Sequence, residues 1–191
     1  MLLEILEKSL GKAFDKHPNS ISSTDRSLHS ARSKTWVTNI AKALREKYDK
    51  PEYRVFSADC TDNRTEFKLN ELLFDISVVR VRPIPSASKN KQLMCVTSME
   101  WAIESEFQRN DSRASIIDFS KLVMARSSNK LLILPQSKNI RDWALSTLSD
   151  AVPEDGDKYF LAIVPHPESW ADNMNVELYV LGERGWEIQT N

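Results

Sequence analysis

Apolar residues recur at helical spacing over residues 2–16, where Leu2, Leu3, Ile5, Leu6, Leu10 and Phe14 fall on one side. The pattern stops in HPNSISSTDRSLHSARSKT (residues 17–35), a stretch rich in Ser and Thr that predicts a loop. Helical spacing returns in TWVTNIAKALREKY (35–48), with Trp36, Ile40, Ala43 and Leu44 inward, and Asp49–Pro51 ends it. YRVFSA (53–58) then predicts a short strand and DCTDNRTEF (59–67) a polar connection. ELLFDISVVRVRP (71–83) predicts a longer strand, stopped by Pro83 and Pro85. After the polar turn IPSASKNKQ, residues 93–107 predict its antiparallel partner.

Beyond a loop at QRNDSRAS, IIDFSKLVMARS (116–127) predicts a helix. KLLILP and YFLAIVP are short apolar runs, the kind of strand buried on both faces of an α/β sheet. Between them KNIRDWALSTLSDAV predicts a helix that ends before Pro153, and VELYVLGERGWEIQ a hairpin turning at Gly182–Gly185. The alternation predicts an α/β protein, a mixed central β-sheet flanked by helices. Its expected organisation is an N-terminal helix and Ser-rich loop over residues 1–30, then one α/β domain over residues 31–191.

One strand departs from the expected composition. In CVTSMEWAIESEF, Glu100, Glu104 and Glu106 alternate along what is otherwise a core sequence. A regular strand would place them on one face with Ala102, and Asp75 with Glu71 on one face of the preceding strand. Neighbours on such a face are roughly 6.6 Å apart, so two carboxylates and a third from the paired strand can converge on one ion. A symmetric turn, centred between Ala87 and Ser88, sets Asp75 opposite Glu100; an asymmetric one sets it beside Glu104. Clustered carboxylates raise one another's pKa, and a hard divalent cation, Mg²⁺ or Mn²⁺, removes that penalty. The alternative is an edge strand whose glutamates are solvated, but Asp75 sits among Leu72, Leu73, Phe74 and Ile76, an odd place for a solvated carboxylate.

An acidic residue in one strand, a polar turn, Glu-x-Glu in the paired strand and then a helix resemble the PD-(D/E)XK nuclease superfamily, the restriction-endonuclease-like fold. ELLFDIS, AIESEF and DFSKL are similar to the three blocks of a bacterial branch of it, and the resemblance spans about Trp36 to Pro135. It implies a restriction-endonuclease-like core and Mg²⁺- or Mn²⁺-dependent hydrolysis of phosphodiester bonds in DNA. Asp75 matches the first metal-binding carboxylate and Glu104 the second, with Glu100 as its rival. Glu106 stands where the family usually has Lys, and Lys121 on the following helix is placed to supply the missing amine. Glu71, or less readily Glu46, is a further carboxylate. The departure at Glu106 also fits a protein that kept the fold without catalysis and serves as a binding or scaffold subunit, as in a bacterial defence system.

The remaining composition narrows these readings little. The net charge of −1 gives no bulk attraction to nucleic acid, and Lys89, Lys91, Arg109 and Arg113 are the local candidates for phosphate contacts. Cys60 and Cys95 lack metal-ligand spacing, and His17, His29 and His166 are scattered. Neither a Gly-rich phosphate loop nor a Gly-x-Ser-x-Gly elbow is present. Trp36, Trp101 and Trp143 fall at expected core positions. With no long apolar run, the chain is expected in the cytoplasm, away from membranes, as a homodimer cutting two strands or bound to a protein partner.

Overall fold

The computed structural model describes residues 1–18, 26–88, 90–108, 111–154, 156–170 and 174–190. Its elements are α1 (Leu2–Lys16), α2 (Arg26–Lys47), β1 (Tyr53–Ser57), α3 (Arg64–Phe67), β2 (Ile76–Pro85), β3 (Gln92–Ser105) and α4 (Ser112–Met124). They continue as β4 (Ser127–Pro135), α5 (Lys138–Thr147), β5 (Lys158–Val164), β6 (Glu177–Gly182) and β7 (Gly185–Gln189). The seven strands form one sheet in chain order, β1 to β7. β3, β4 and β5 run parallel; the other neighbours pair antiparallel. The expected mixed sheet flanked by helices is therefore the observed architecture.

Period-2 alternation sends the strands' side chains to two cores. Val55, Ile76, Val78, Trp101, Ile103, Leu131 and Ile133 meet Leu6, Leu10, Trp36, Ile40 and Leu44 of α1 and α2. On the other face Ala102, Leu132, Leu134, Leu161 and Ile163 meet Phe119 and Leu122 of α4 and Ile140 and Ala144 of α5. Trp36 is fully buried, and its Nε1–H donates to the Leu6 carbonyl at 3.1 Å, which fixes α1 against α2.

Two helices begin earlier than the sequence pattern predicts. α2 starts at Arg26, inside the Ser/Thr-rich stretch, so residue 30 falls within a helix. The reason is tertiary: Arg32 is 1 % exposed and donates to the carbonyls of His17 (2.9 Å) and Pro167 (2.6 Å), a tie that no helical period reveals. Residues 19–25 of that stretch lie outside the described ones. α4 starts at Ser112 because the Asp111 carboxylate caps it, accepting from the N–H groups of Arg113 (2.9 Å) and Ala114 (3.1 Å). α3 turns part of the expected polar connection into a single helical turn.

β2 begins at Ile76, not at Glu71 as the pattern predicts. Leu73 adopts φ 67°, and the Phe74 N–H bonds to the Leu72 carbonyl at 2.8 Å, so the chain doubles back just before the strand. A left-handed Leu is uncommon strain, and here it sets Asp75 at the mouth of the strand rather than within it.

Replacing Trp36 with Ala should destabilise the protein by about 3–5 kcal/mol, as for other large-to-small changes in a core. Urea titration followed by both circular dichroism and tryptophan fluorescence should give one shared transition in the wild type. An early separate transition would place α1 outside the cooperative unit.

Candidate active site

The site lies where the C-terminal ends of β1 and β3 meet the start of β2. The β2–β3 register decides its membership. Ile76 pairs with Ile103, Val79 with Met99 and Val81 with Val96, so β3 carries one extra residue at Glu100 and another at Thr97. These two bulges make the hairpin asymmetric, and the chain entering β2 at Asp75 comes alongside Glu104 and Ser105. The Asp75 Oδ2 accepts from the Ser105 N–H at 2.9 Å and from the Ser105 hydroxyl at 2.6 Å.

Glu104 is 3 % exposed, and its Oε1 accepts from the Lys121 ammonium at 3.1 Å. Burial, then the charge of Asp75, pushes its carboxyl up to about 7, against the opposing pull of Lys121. The same ammonium donates to Asp118 at 2.7 Å, one turn earlier on α4. That bond to Asp118 leads the causes that raise the Lys121 pKa, and the bond to Glu104 adds to it. Glu71 is also raised, first by burial and then by Asp75, while Lys121 draws it down. Glu71, Asp75, Glu104 and Lys121 thus form one electrostatic group.

Two other expected members are placed differently. Glu100, at the bulge, bonds Arg80 at 2.6 Å, and that guanidinium lies over the Tyr53 ring at 5.0 Å. The alternation expected for Glu100, Glu104 and Glu106 is broken there, because an extra residue turns the side chains that follow it. Glu100 is therefore not in the group. Glu106 follows β3, and its carboxylate accepts from the Gln108 N–H at 2.7 Å. Burial raises the Glu106 carboxyl, with that backbone bond opposing it and Asp118 and Asp111 adding to it. Glu46 is exposed near the end of α2, beyond the residues that line the cleft.

A cleft of ≈ 290 Å³ opens onto Asp75 and Glu71, walled by Ser33, Lys34, Val37 and Thr38 of α2 and by Asp59, Ser105 and Phe107. Ser33 and Lys34 of its α2 wall fall in the stretch expected as loop, and Val37 and Thr38 in the helix predicted after it. Ser105 was passed over because regular alternation assigns it to the face away from Glu104. Its position between two glutamates, with a hydroxyl, was the available signal.

The donor set is oxygen only, which suits Mg²⁺ or Mn²⁺. As the side chains stand, no group of three or more Asp, Glu, His or Cys among the described residues is arranged to hold a metal ion. Asp75 is committed to Ser105 through one oxygen, and Glu104 to Lys121. Of the expected phosphate contacts, Lys91 and Arg113 are exposed, while Lys89 and Arg109 lie outside the described residues. No helix of the described residues is long and apolar enough to cross a membrane. No protein-family model matches the chain, and no curated protein matches its sequence.

The raised Glu104 pKa sets a pH dependence in the metal-free protein. An unfolded glutamate titrates near 4.5, and this one near 7 when folded. Between those values the folded state holds the extra proton, so stability is greatest below about pH 4.5, falls as pH rises toward 7, and levels off above. Glu104→Gln, which keeps the acceptor for Lys121, should remove this fall, worth on the order of 3 kcal/mol for a shift of this size. Urea midpoints of both proteins from pH 4.5 to 8 test it; parallel curves would show Glu104 ionised throughout.

Proposed function

We propose that this protein is a metal-dependent nuclease of the PD-(D/E)XK type, hydrolysing phosphodiester bonds of DNA. The observation that carries the reading is the coupling of Asp75 and Glu104 across the β2–β3 hairpin, with Lys121 of the following helix bonded to Glu104. Acidic strand, polar turn, Glu-x-Glu strand and helix occur in the order the resemblance requires, and the carboxylates converge at one end of the sheet. The cleft gives a substrate access to Asp75 and Glu71, while Glu104 lies buried beside them.

In this reading Asp75 and Glu104 would hold Mg²⁺ or Mn²⁺, with Glu71 as an additional carboxylate, once Glu104 is released from Lys121. A bound divalent cation supplies Lewis-acid polarisation of a phosphoryl oxygen and lowers the pKa of its water. Glu106 orients the attacking water. Lys121 exchanges its bond to Glu104 for one to the scissile phosphate and stabilises the charge that develops there. DNA as substrate, a homodimer for cutting two strands and residence in the cytoplasm belong to the same reading.

A second reading has its own support. Lys121 already neutralises Glu104, and Glu106 is satisfied by a backbone N–H, so the carboxylates have partners without a metal. A protein that kept this fold as a binding or scaffold subunit would look the same.

Calorimetric titration with Mn²⁺ separates the two. Under the nuclease reading the wild type binds Mn²⁺, and Asp75→Ala lowers the affinity by more than the roughly 10–100-fold typical of outer-shell partners. Glu100→Gln should leave it unchanged, because Glu100 is bonded to Arg80 outside the group. Absence of Mn²⁺ binding by the wild type, together with no cleavage of plasmid DNA, would leave the scaffold reading.

A further inference from the structure

The β2–β3 hairpin is longer than the sheet that holds it. β1 pairs only with Ile76–Arg80, and β4 only with Met99–Ser105. The Val81 N–H still reaches the Glu52 carbonyl at 2.8 Å, but beyond it Arg82–Pro85 and Gln92–Cys95 pair with each other alone, as a two-stranded arm that leaves the sheet at the end opposite Asp75 and Glu104. Arg82, Pro83, Pro85, Gln92 and Leu93 of this arm are exposed.

Its charge is one-sided. From Ile76 to Met99 the chain carries Arg80, Arg82, Lys89 and Lys91 and not one Asp or Glu, in a protein whose net charge is −1. Arg80 and Arg82 share a face of β2 with Ile84, and cross-strand pairing adds Leu93 to that face. Arg80 is half-exposed and anchored by Glu100, whereas Arg82 and Lys91 make no ion pair among the described residues. One face of the hairpin here is packed, with Val81 buried near Phe56 and Val79 and with Met94 and Val96 beside them, but the cations on the exposed face repel one another and are not explained by that packing. Pro83 and Pro85 lack the N–H groups that a further strand would need on the β2 edge, which disfavours a second copy or a peptide adding there.

We propose that this arm binds duplex DNA by entering its major groove. The major groove admits a two-stranded β-ribbon, and the phosphates on its walls complement Arg82, Lys91 and their neighbours. Exposed Leu93 on the arginine face suits contact with a thymine methyl. The distance also fits. Ten strand residues from Asp75 to Pro85 span about 34 Å, close to one turn of B-DNA, so arm and carboxylates meet one face of a duplex a turn apart. The proposal takes from the nuclease reading only the nature of the ligand, and it stands equally for a protein that binds DNA without cutting it.

The test is fluorescence anisotropy with a duplex of about 24 base pairs, two helical turns, in EDTA at several salt concentrations. The wild type should bind, with log K falling linearly against log salt. The Arg82→Ala/Lys91→Ala double variant should bind more weakly, its slope shallower by about 1.8, two phosphate contacts' worth. Arg82→Lys/Lys91→Arg should keep the slope, which excludes a folding defect of the arm. Equal slopes for wild type and the Ala variant, equal affinity for the single strand, or no duplex binding would each overturn the proposal. Mn²⁺ calorimetry on the Ala double variant keeps the two ideas apart. Arm-dependent duplex binding in a protein that takes up no Mn²⁺ supports the arm and removes the nuclease; Mn²⁺ binding with an unchanged salt slope does the reverse.

Discussion

The pairing of β2 with β3 is the constraint on which both ends of this molecule depend. The two strands have no freedom of face, because Ile76, Val78, Trp101 and Ile103 must point into the core under α1 and α2. A one-residue slip of either strand would turn its apolar pair away from that core. With that part fixed, the two extra residues on β3 can be accommodated only as bulges, at Glu100 and Thr97. The bulges then decide which carboxylate meets Asp75. They also release the rest of the hairpin as an arm beyond the reach of β1 and β4.

Placing carboxylates at the sheet's end has an energetic consequence. Glu104 is buried beside another acid, and an ionised pair in that setting is tolerated only with a counter-charge. Lys121 provides it, and Asp118 in turn holds Lys121. The result is a network in which one ammonium is shared between Glu104 at 3.1 Å and Asp118 at 2.7 Å. The strained turn at Leu73 belongs to the same economy. It holds Asp75 out of the strand and against Ser105, at the mouth of a cleft, where a strand-interior aspartate would be sealed by its neighbours.

Much of this was legible in the chain. Apolar runs at KLLILP and YFLAIVP gave the buried parallel strands, and the odd setting of Asp75 singled it out. What failed did so for identifiable reasons. Lys130, read as the start of an apolar strand, is fully buried, because Asp157 (2.8 Å) and the Tyr159 hydroxyl (2.7 Å) satisfy its ammonium from β5 and the turn before it. Arg32 sat in a stretch whose Ser and Thr content argued for a loop, yet its guanidinium is consumed by carbonyls distant in sequence. Local pattern carries no trace of partners that arrive from elsewhere in the fold.

The sequence by itself determined the class of fold, the strands and most helices, and the short set of acids from which a site could be built. Those follow from hydrophobic period and residue type, which are local quantities. Only the tertiary structure decided that Glu104 rather than Glu100 joins Asp75, that Ser105 holds Asp75 in place, and that the cleft wall comes from the early turns of α2. Each of these depends on register, and register is set by the packing of a whole face at once. A bulge costs the sequence no visible signature, yet it moves every later side chain to the other side.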